Sequence, residues 1–149
     1  MVVPLGMLSS AARSDPESVL PMPALISIVD DDQCFRDSMR RLLKAHGYMV
    51  ADFPSAGEFL ASAQLPATVC LIADIHMPAM TGVELYGHLV ATGYAIPTIL
   101  ITAYPDEGVR QRMLGLGVRC HLHKPLDVAI LIDCIRRACA PDKTPRVAP

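Results

Sequence analysis

No stretch of this 149-residue chain nears the length of apolar sequence that spans a membrane. The first residues, MVVPLGML, are apolar but short and proline-broken, and they lack the basic region of a secretory signal. There is no CxxC pair among the five cysteines (Cys34, Cys70, Cys120, Cys134, Cys139), and an odd number cannot all pair within one chain. Several of them sit inside apolar runs, where free cysteine behaves as a small hydrophobe. The reading is of reduced thiols in a cytoplasmic protein. Tryptophan is absent, and there is no basic excess: the formal net charge is -2, which gives no support to general nucleic-acid or membrane-surface binding. What remains is 52% apolar and 19% charged, a composition that fits one α/β domain with well-buried strands.

The leader, residues 1–23, carries Pro4, Pro16, Pro21 and Pro23 with four interspersed serines, and reads as flexible. Residues 141–149 read likewise, leaving a folded domain over 24–140. Within it, short apolar runs rich in β-branched residues alternate with segments of helical period. Strands are expected at 24–29, 48–53, 68–73, 96–102 and 118–122. Helices are expected from Phe35 to His46, with Gly47 as terminator, then from Ser55, from Thr81, from Asp106 to Leu116, and after Asp127. Ser55–Glu58 and Thr81–Glu84 both read as capping boxes. Val109, Met113 and Leu116 share one expected apolar face; Val128, Leu131, Ile132 and Ile135 share another. Continuous apolar strands joined by helices require a parallel sheet covered on both faces, a (βα)5 arrangement.

In such a sheet, functional groups collect beyond the carboxyl ends of the strands. The first strand is followed by Asp30 and Asp31, the third ends in Asp74, the fourth in Thr102, and the fifth leads to Lys124. The second gives only Phe53-Pro54, which suits an edge strand outside the crevice. Three carboxylates converging in a partly desolvated cleft repel one another unless a cation intervenes. An oxygen-only donor set suits a hard ion, Mg2+ above all, while Lys124 adds positive charge without occupying a coordination position. Such a cluster can accept a phosphoryl group on Asp74, with Thr102 offering a hydroxyl to a new phosphoryl oxygen. Asp32 is better placed to cap the first helix than to hold metal.

Taken in order, the segments IVDDD, LIADIHMPAMTGVEL, ILITAY and HKP resemble the receiver domain of two-component response regulators, the CheY-like family, over roughly 24–138. MPAMTGVEL and ITAY are similar to the FixJ-type branch. The resemblance implies a flavodoxin-like doubly wound sheet in the order 2-1-3-4-5, as in CheY. It implies Asp74 as phosphoacceptor, with Mg2+ held by Asp31, Asp74 and the backbone carbonyl of His76, and by Asp30 mainly through water. Thr102 would be the switch hydroxyl, Lys124 the lysine that pairs with phosphoryl, and Pro125 a cis-proline. The phosphoryl donor would be a histidine kinase or phosphotransfer protein, and the face over residues 106–135 would bind a partner or a second copy. Where the family commonly carries an aromatic switch residue, this chain has His121, titratable near neutrality. His76 and Tyr104 occupy positions that influence autodephosphorylation in the family, so phosphoryl lifetime is expected to depend on both.

Nine residues follow Ala140, too few for a helix-turn-helix unit, and no basic recognition helix occurs. If the sequence is the whole protein, the expected output is protein–protein contact or a phosphate sink rather than direct nucleic-acid binding, whereas a fragment's output is open; either way a switch is expected rather than a turnover enzyme. A receiver used only as an unphosphorylated interaction module is the alternative. A flavin-binding flavodoxin fits poorly, because Asp30-Asp31-Asp32 repels a phosphate. A haloacid-dehalogenase phosphotransferase also fits poorly, since Asp30-Asp31-Asp32-Gln33-Cys34 lacks the threonine of D-x-D-x-T.

Overall fold

The computed structural model describes residues 23–140; all but the last residue of the expected leader over 1–23, and the tail over 141–149, lie outside them. Its elements alternate strictly. They are β1 (Leu25–Val29), α1 (Gln33–Ala45), β2 (Met49–Phe53), α2 (Ala56–Leu60), β3 (Cys70–Asp74), α3 (Gly82–Ala91), β4 (Thr98–Thr102), α4 (Glu107–Gly115), β5 (Cys120–His123) and α5 (Val128–Cys139). The five strands form one parallel sheet in the order β2-β1-β3-β4-β5. β3 therefore lies at the centre and β2 at an edge, as its bare end Phe53-Pro54 implies.

Alternate residues along each strand feed two separate cores. Ile26, Ile28, Cys70, Ile72, Ile99 and Ile101 pack under α1 and α5 with Leu43, Leu131 and Ile135. Val29, Leu71, Ala73 and Leu100 pack on the opposite face with Phe59, Leu85, Leu89 and Met113 from α2, α3 and α4. Both faces are covered, so β3 and β4 are buried along their whole length. Burying one such Leu or Ile is worth about 1.5–3 kcal/mol. One polar pair interrupts the apolar interior: Ser27 Oγ and Thr68 Oγ1 lie 2.7 Å apart, and Thr68 also donates to the Gln64 carbonyl. Thr68 thus belongs to the turn before β3, and the strand starts two residues later than its apolar run.

Helix starts follow local chemistry closely. Asp32 is the N-cap of α1, its carboxylate accepting from the Cys34 and Phe35 amides. Thr81 and Glu84 close a reciprocal capping box on α3. Ser55 caps α2, but the expected reciprocal box is not made: Ser55 Oγ accepts from the Glu58 amide while the Glu58 carboxylate faces the hydroxyl instead of the backbone. A helix of five residues leaves the Glu58 side chain little to hold it in place. Asp106 and Asp127 cap α4 and α5.

Two apolar positions depart from the expected faces. Leu116 and Val128 are exposed, because each lies at a helix end where the 3.6-residue period has already rotated or not yet reached the core. The reading of all cysteines as free thiols is also corrected. Cys120 on β5 and Cys134 on α5 form a disulfide, with Cα atoms 6.5 Å apart, while Cys34, Cys70 and Cys139 remain free. The crossover after β5 folds α5 back onto the same sheet face, bringing together residues whose separation in sequence carries no pairing motif. Near the C-terminal end of α5, Cys139 accepts a hydrogen bond from the Cys70 thiol; that bond and burial push the Cys70 thiol well up.

Candidate functional site: an acidic pocket at the carboxyl edge

The end of each inner strand delivers one piece of a single pocket. Asp30 follows β1 and is almost wholly buried; its amide donates to Phe53 O, continuing the sheet for one residue. Asp74 closes β3 and is 8% exposed, and Asp31 is exposed at the rim. Carboxylate oxygens from Asp30, Asp31 and Asp74 all lie within 4.8 Å of one another. Lys124, just beyond β5, reaches back across the crevice: its Nζ lies 3.0 Å from Asp30 Oδ2 and 3.1 Å from Asp74 Oδ2. Sequence order alone brought these four residues to one edge, and the structure brings their polar atoms together.

The electrostatics follow from burial. Desolvation raises the Asp30 carboxyl above its usual range, opposed by the Asp32 amide and by Lys124. Desolvation acts downward on Lys124, but hydrogen bonds and charge from Asp30 and Asp74 outweigh it and hold the ammonium above its ordinary value. The pocket thus carries three acids against one cation. A divalent ion fits this oxygen-only, mutually repelling donor set: Asp30, Asp31 and Asp74 would hold it, and it would neutralise charge on an oxyanion bound beside them.

Thr102 and His76 are placed near this pocket with partners of their own. The Thr102 hydroxyl accepts from the Tyr104 amide at 2.9 Å and faces the Tyr104 carbonyl at 3.2 Å. The His76 amide donates to Asp74 Oδ1 at 3.0 Å. The His76 ring meets the Tyr104 ring edge-on at 5.2 Å, so two aromatic side chains stand together at the mouth of the pocket. A cavity of about 280 Å³ runs from His76 past Thr102 and Pro105 to Val109 and His121.

His121 projects from β5 with a buried Nε2 that has no hydrogen-bond partner among the described residues. Burial lowers its pKa from the ordinary histidine value, against a backbone hydrogen bond that raises it. A base depressed in the folded state takes up its proton more readily when unfolded, so stability is lost as pH falls through about 6.5 toward the folded value. His121→Phe is therefore expected to lose less of its melting temperature than the parent protein between pH 7.5 and pH 5.5. Equal losses in thermal unfolding at the two pH values would contradict this assignment.

Some residues that shape the pocket were not identifiable from their place in the sequence. Arg36 Nη1 donates to the Asp30 carbonyl at 2.6 Å, while its Nε pairs with Asp52 Oδ2 at 3.0 Å. Arg40 binds the other Asp52 oxygen. Arg36 thereby clamps the backbone of the acidic loop against β2. The available signal was slight: Arg36 lies one turn beyond the Asp32 cap, among ordinary surface charges. Gly82, the first residue of α3, packs directly on the Asp74 backbone.

A doubly wound sheet whose crevice gathers three carboxylates and a lysine defines a flavodoxin-like α/β domain with an acidic carboxyl edge. The family model of the response regulator receiver domain matches residues 26–136, and the chain belongs to that family of signalling switches. It is 34% identical over 113 residues to the transcriptional regulatory protein FixJ of Rhizobium meliloti, covering 76% of this chain and 55% of that protein. An uncharacterized 14.6 kDa protein of Leptolyngbya boryana is 36% identical over 116 residues, covering 76% of this chain and 88% of that one. Among solved structures, FixJ-N superposes with a TM-score of 0.71 at 29% identity, over 85% of this chain and all of that one. The response regulator StyR gives 0.73 at 33% identity, over 79% of this chain and 60% of that one. The chain spans little more than half the length of the FixJ relative and the whole of FixJ-N. Among the described residues no helix is long and apolar enough to cross a membrane.

Proposed function

We propose that Asp74 accepts a phosphoryl group from a histidine kinase or phosphotransfer protein and that this reaction switches protein contacts on the 106–135 face. The observation that carries the reading is the state of Asp74: a carboxylate at the end of the central strand, 8% exposed, with one oxygen on the His76 amide and the other on Lys124. Both oxygens are oriented, and the neighbouring acids are close enough to share a cation. Attack by an Asp74 oxygen on the phosphorus of a phosphohistidine forms the acyl phosphate as the P–N bond breaks, and the bonding pair leaves on the imidazole nitrogen. Asp31, Asp74 and the His76 carbonyl would hold Mg2+, with Asp30 mainly through water, and the ion would supply charge neutralisation at the transferred oxygens.

The chain's own residues do the rest. Lys124 brings an ammonium group to the Asp74 oxygen on which phosphoryl charge would arrive. Thr102 gives up its bonds to Tyr104 to reach a phosphoryl oxygen, drawing the β4–α4 loop inward. The cavity beside it gives His121 room to follow. The resulting change on α4, β5 and α5 is read by a partner protein or a second copy in the cytoplasm, without direct nucleic-acid contact. His76 and Tyr104, paired at the mouth, control water access and hence phosphoryl lifetime.

Incubation with acetyl phosphate and Mg2+ tests the reading. The protein is expected to gain one phosphoryl group by intact mass, and Asp74→Asn none. Equal labelling of Asp74→Asn, or no labelling of the parent protein, would end it.

A further inference from the structure

Lys124 has three neighbours that fix its ammonium, and two of them are Asp30 and Asp74. The third is an aromatic ring: Nζ stands over Phe35, 4.2 Å from the ring centroid. The acids are the very groups a divalent cation would draw away, since both belong to the carboxylate trio. A ring face attracts an ammonium through its quadrupole and has no affinity for a strongly hydrated Mg2+ comparable to that of a carboxylate. Phe35 is thus the one partner of Lys124 that metal binding leaves in place.

The position of the ring is built in with the acids themselves. Phe35 is the third residue of α1, and its amide is in the cap that Asp32 makes. The Asp32 amide in turn donates to Asp30 Oδ1 at 2.8 Å, and Arg36, the next residue, holds the Asp30 carbonyl. One turn of backbone therefore sets the acidic loop and the aromatic face together. The inner side of the ring packs against the core under α1 and α5, which limits its rotation.

We propose that Phe35 is a positioning residue for Lys124, holding the ammonium beside Asp74 when a divalent cation occupies the acidic pocket. The effect on reaction rate rests on the phosphoacceptor reading of Asp74; the effect on the lysine does not. A core-packing role alone asks only for apolar bulk, which leucine supplies. A cation-holding role asks for the π face, which tyrosine keeps and leucine lacks.

The chain has three lysines, Lys44, Lys124 and Lys143, so lysine-labelled protein gives few signals, and Lys124→Arg assigns the one that matters. The ε-protons of Lys124 are expected to show an upfield ring-current shift that persists at saturating Mg2+, is kept in Phe35→Tyr, and is lost in Phe35→Leu. With acetyl phosphate as donor, Phe35→Leu is expected to be phosphorylated about three- to five-fold more slowly, with Phe35→Tyr near the parent rate. Disappearance of the shift on adding Mg2+ to the parent protein overturns the proposal. So does a parent-like rate in Phe35→Leu, or equal slowing in both variants. If the parent protein takes no phosphoryl at all, the Asp74 reading fails, while persistence or loss of the ring-current shift still decides the role of Phe35.

Discussion

Lys124→Met is expected to lower the stability of the metal-free protein by about 2–3 kcal/mol, and added Mg2+ is expected to return most of that loss. Removing one partner of a buried ion pair typically costs 3–5 kcal/mol, because the remaining charge stays buried and unpaired. Here two nearly buried carboxylates, Asp30 and Asp74, lose at once the only side-chain cation that pairs with them among the described residues. The lysine side chain is itself 22% exposed, so solvent screening trims the figure. Methionine keeps the apolar stem and isolates the charge. In urea unfolding the variant should shift to a lower midpoint with little change in slope.

The pH dependence of this variant has a definite sign. Asp30 is raised by desolvation even with Lys124 present, and without it the opposing contributions from the lysine vanish. The folded state then holds its proton more tightly than the unfolded state, so stability increases as pH falls from the raised value toward 3.8. The parent protein has the added contribution of Lys124, whose raised pKa makes its stabilisation complete below 10.5 and lost as pH rises above it. Combining Lys124→Met with Asp30→Asn should recover part of the loss, since the double variant buries one fewer unpaired charge. A Lys124→Met protein as stable as the parent without metal would show that the ion pairs contribute nothing net.

The make-up of this pocket was legible in the sequence because parallel α/β sheets turn chain order into spatial order. Asp30, Asp31, Asp74 and Lys124 each follow a strand, and strand ends must share one edge. Asp32 was separable from the metal-facing acids because its offset from the helix is that of a cap. What escaped was set by tertiary approach. The Arg36 clamp depends on β2 lying beside β1, which presents Asp52 to α1. The aromatic face of Phe35 was visible only as one apolar residue in a helical period. Cys120 and Cys134 were read as separate small hydrophobes until the last crossover superposed them. Periodicity also assigned Leu116 and Val128 inward, since a period describes a face but not where along the helix the core ends. Thr102 shows the same limit in a functional group: its place at a strand end was foreseen, but its present bonds to Tyr104 were not.

Gly82→Ala is expected to damage both the fold and the proposed acceptor site at Asp74, although alanine is the better helix former. A Cβ at this position would lie 3.0 Å from the Asp74 carbonyl carbon, 3.1 Å from Ile75 Cα, and closer still to the Asp74 carbonyl oxygen. All three obstacles are backbone, so no rotamer change relieves them. The Gly82 amide also donates to the Ile75 carbonyl, which ties the start of α3 to the next peptide along. Relief requires moving α3 or the end of β3 by several tenths of an ångström or more. Overpacking of this kind costs about 1–3 kcal/mol. The displaced element carries Asp74, the proposed nucleophile, and misplacing reacting groups by an ångström can cost about a hundred-fold in rate. Acetyl phosphate labelling of Gly82→Ala should therefore slow at least ten-fold while the variant remains folded by circular dichroism. Gly87→Ala supplies the control on the same helix: nothing lies within 4 Å of its Cβ, and it should stabilise by about 0.5–1 kcal/mol with labelling unchanged. If both alanines behave alike, close approach to Asp74 is not what position 82 requires.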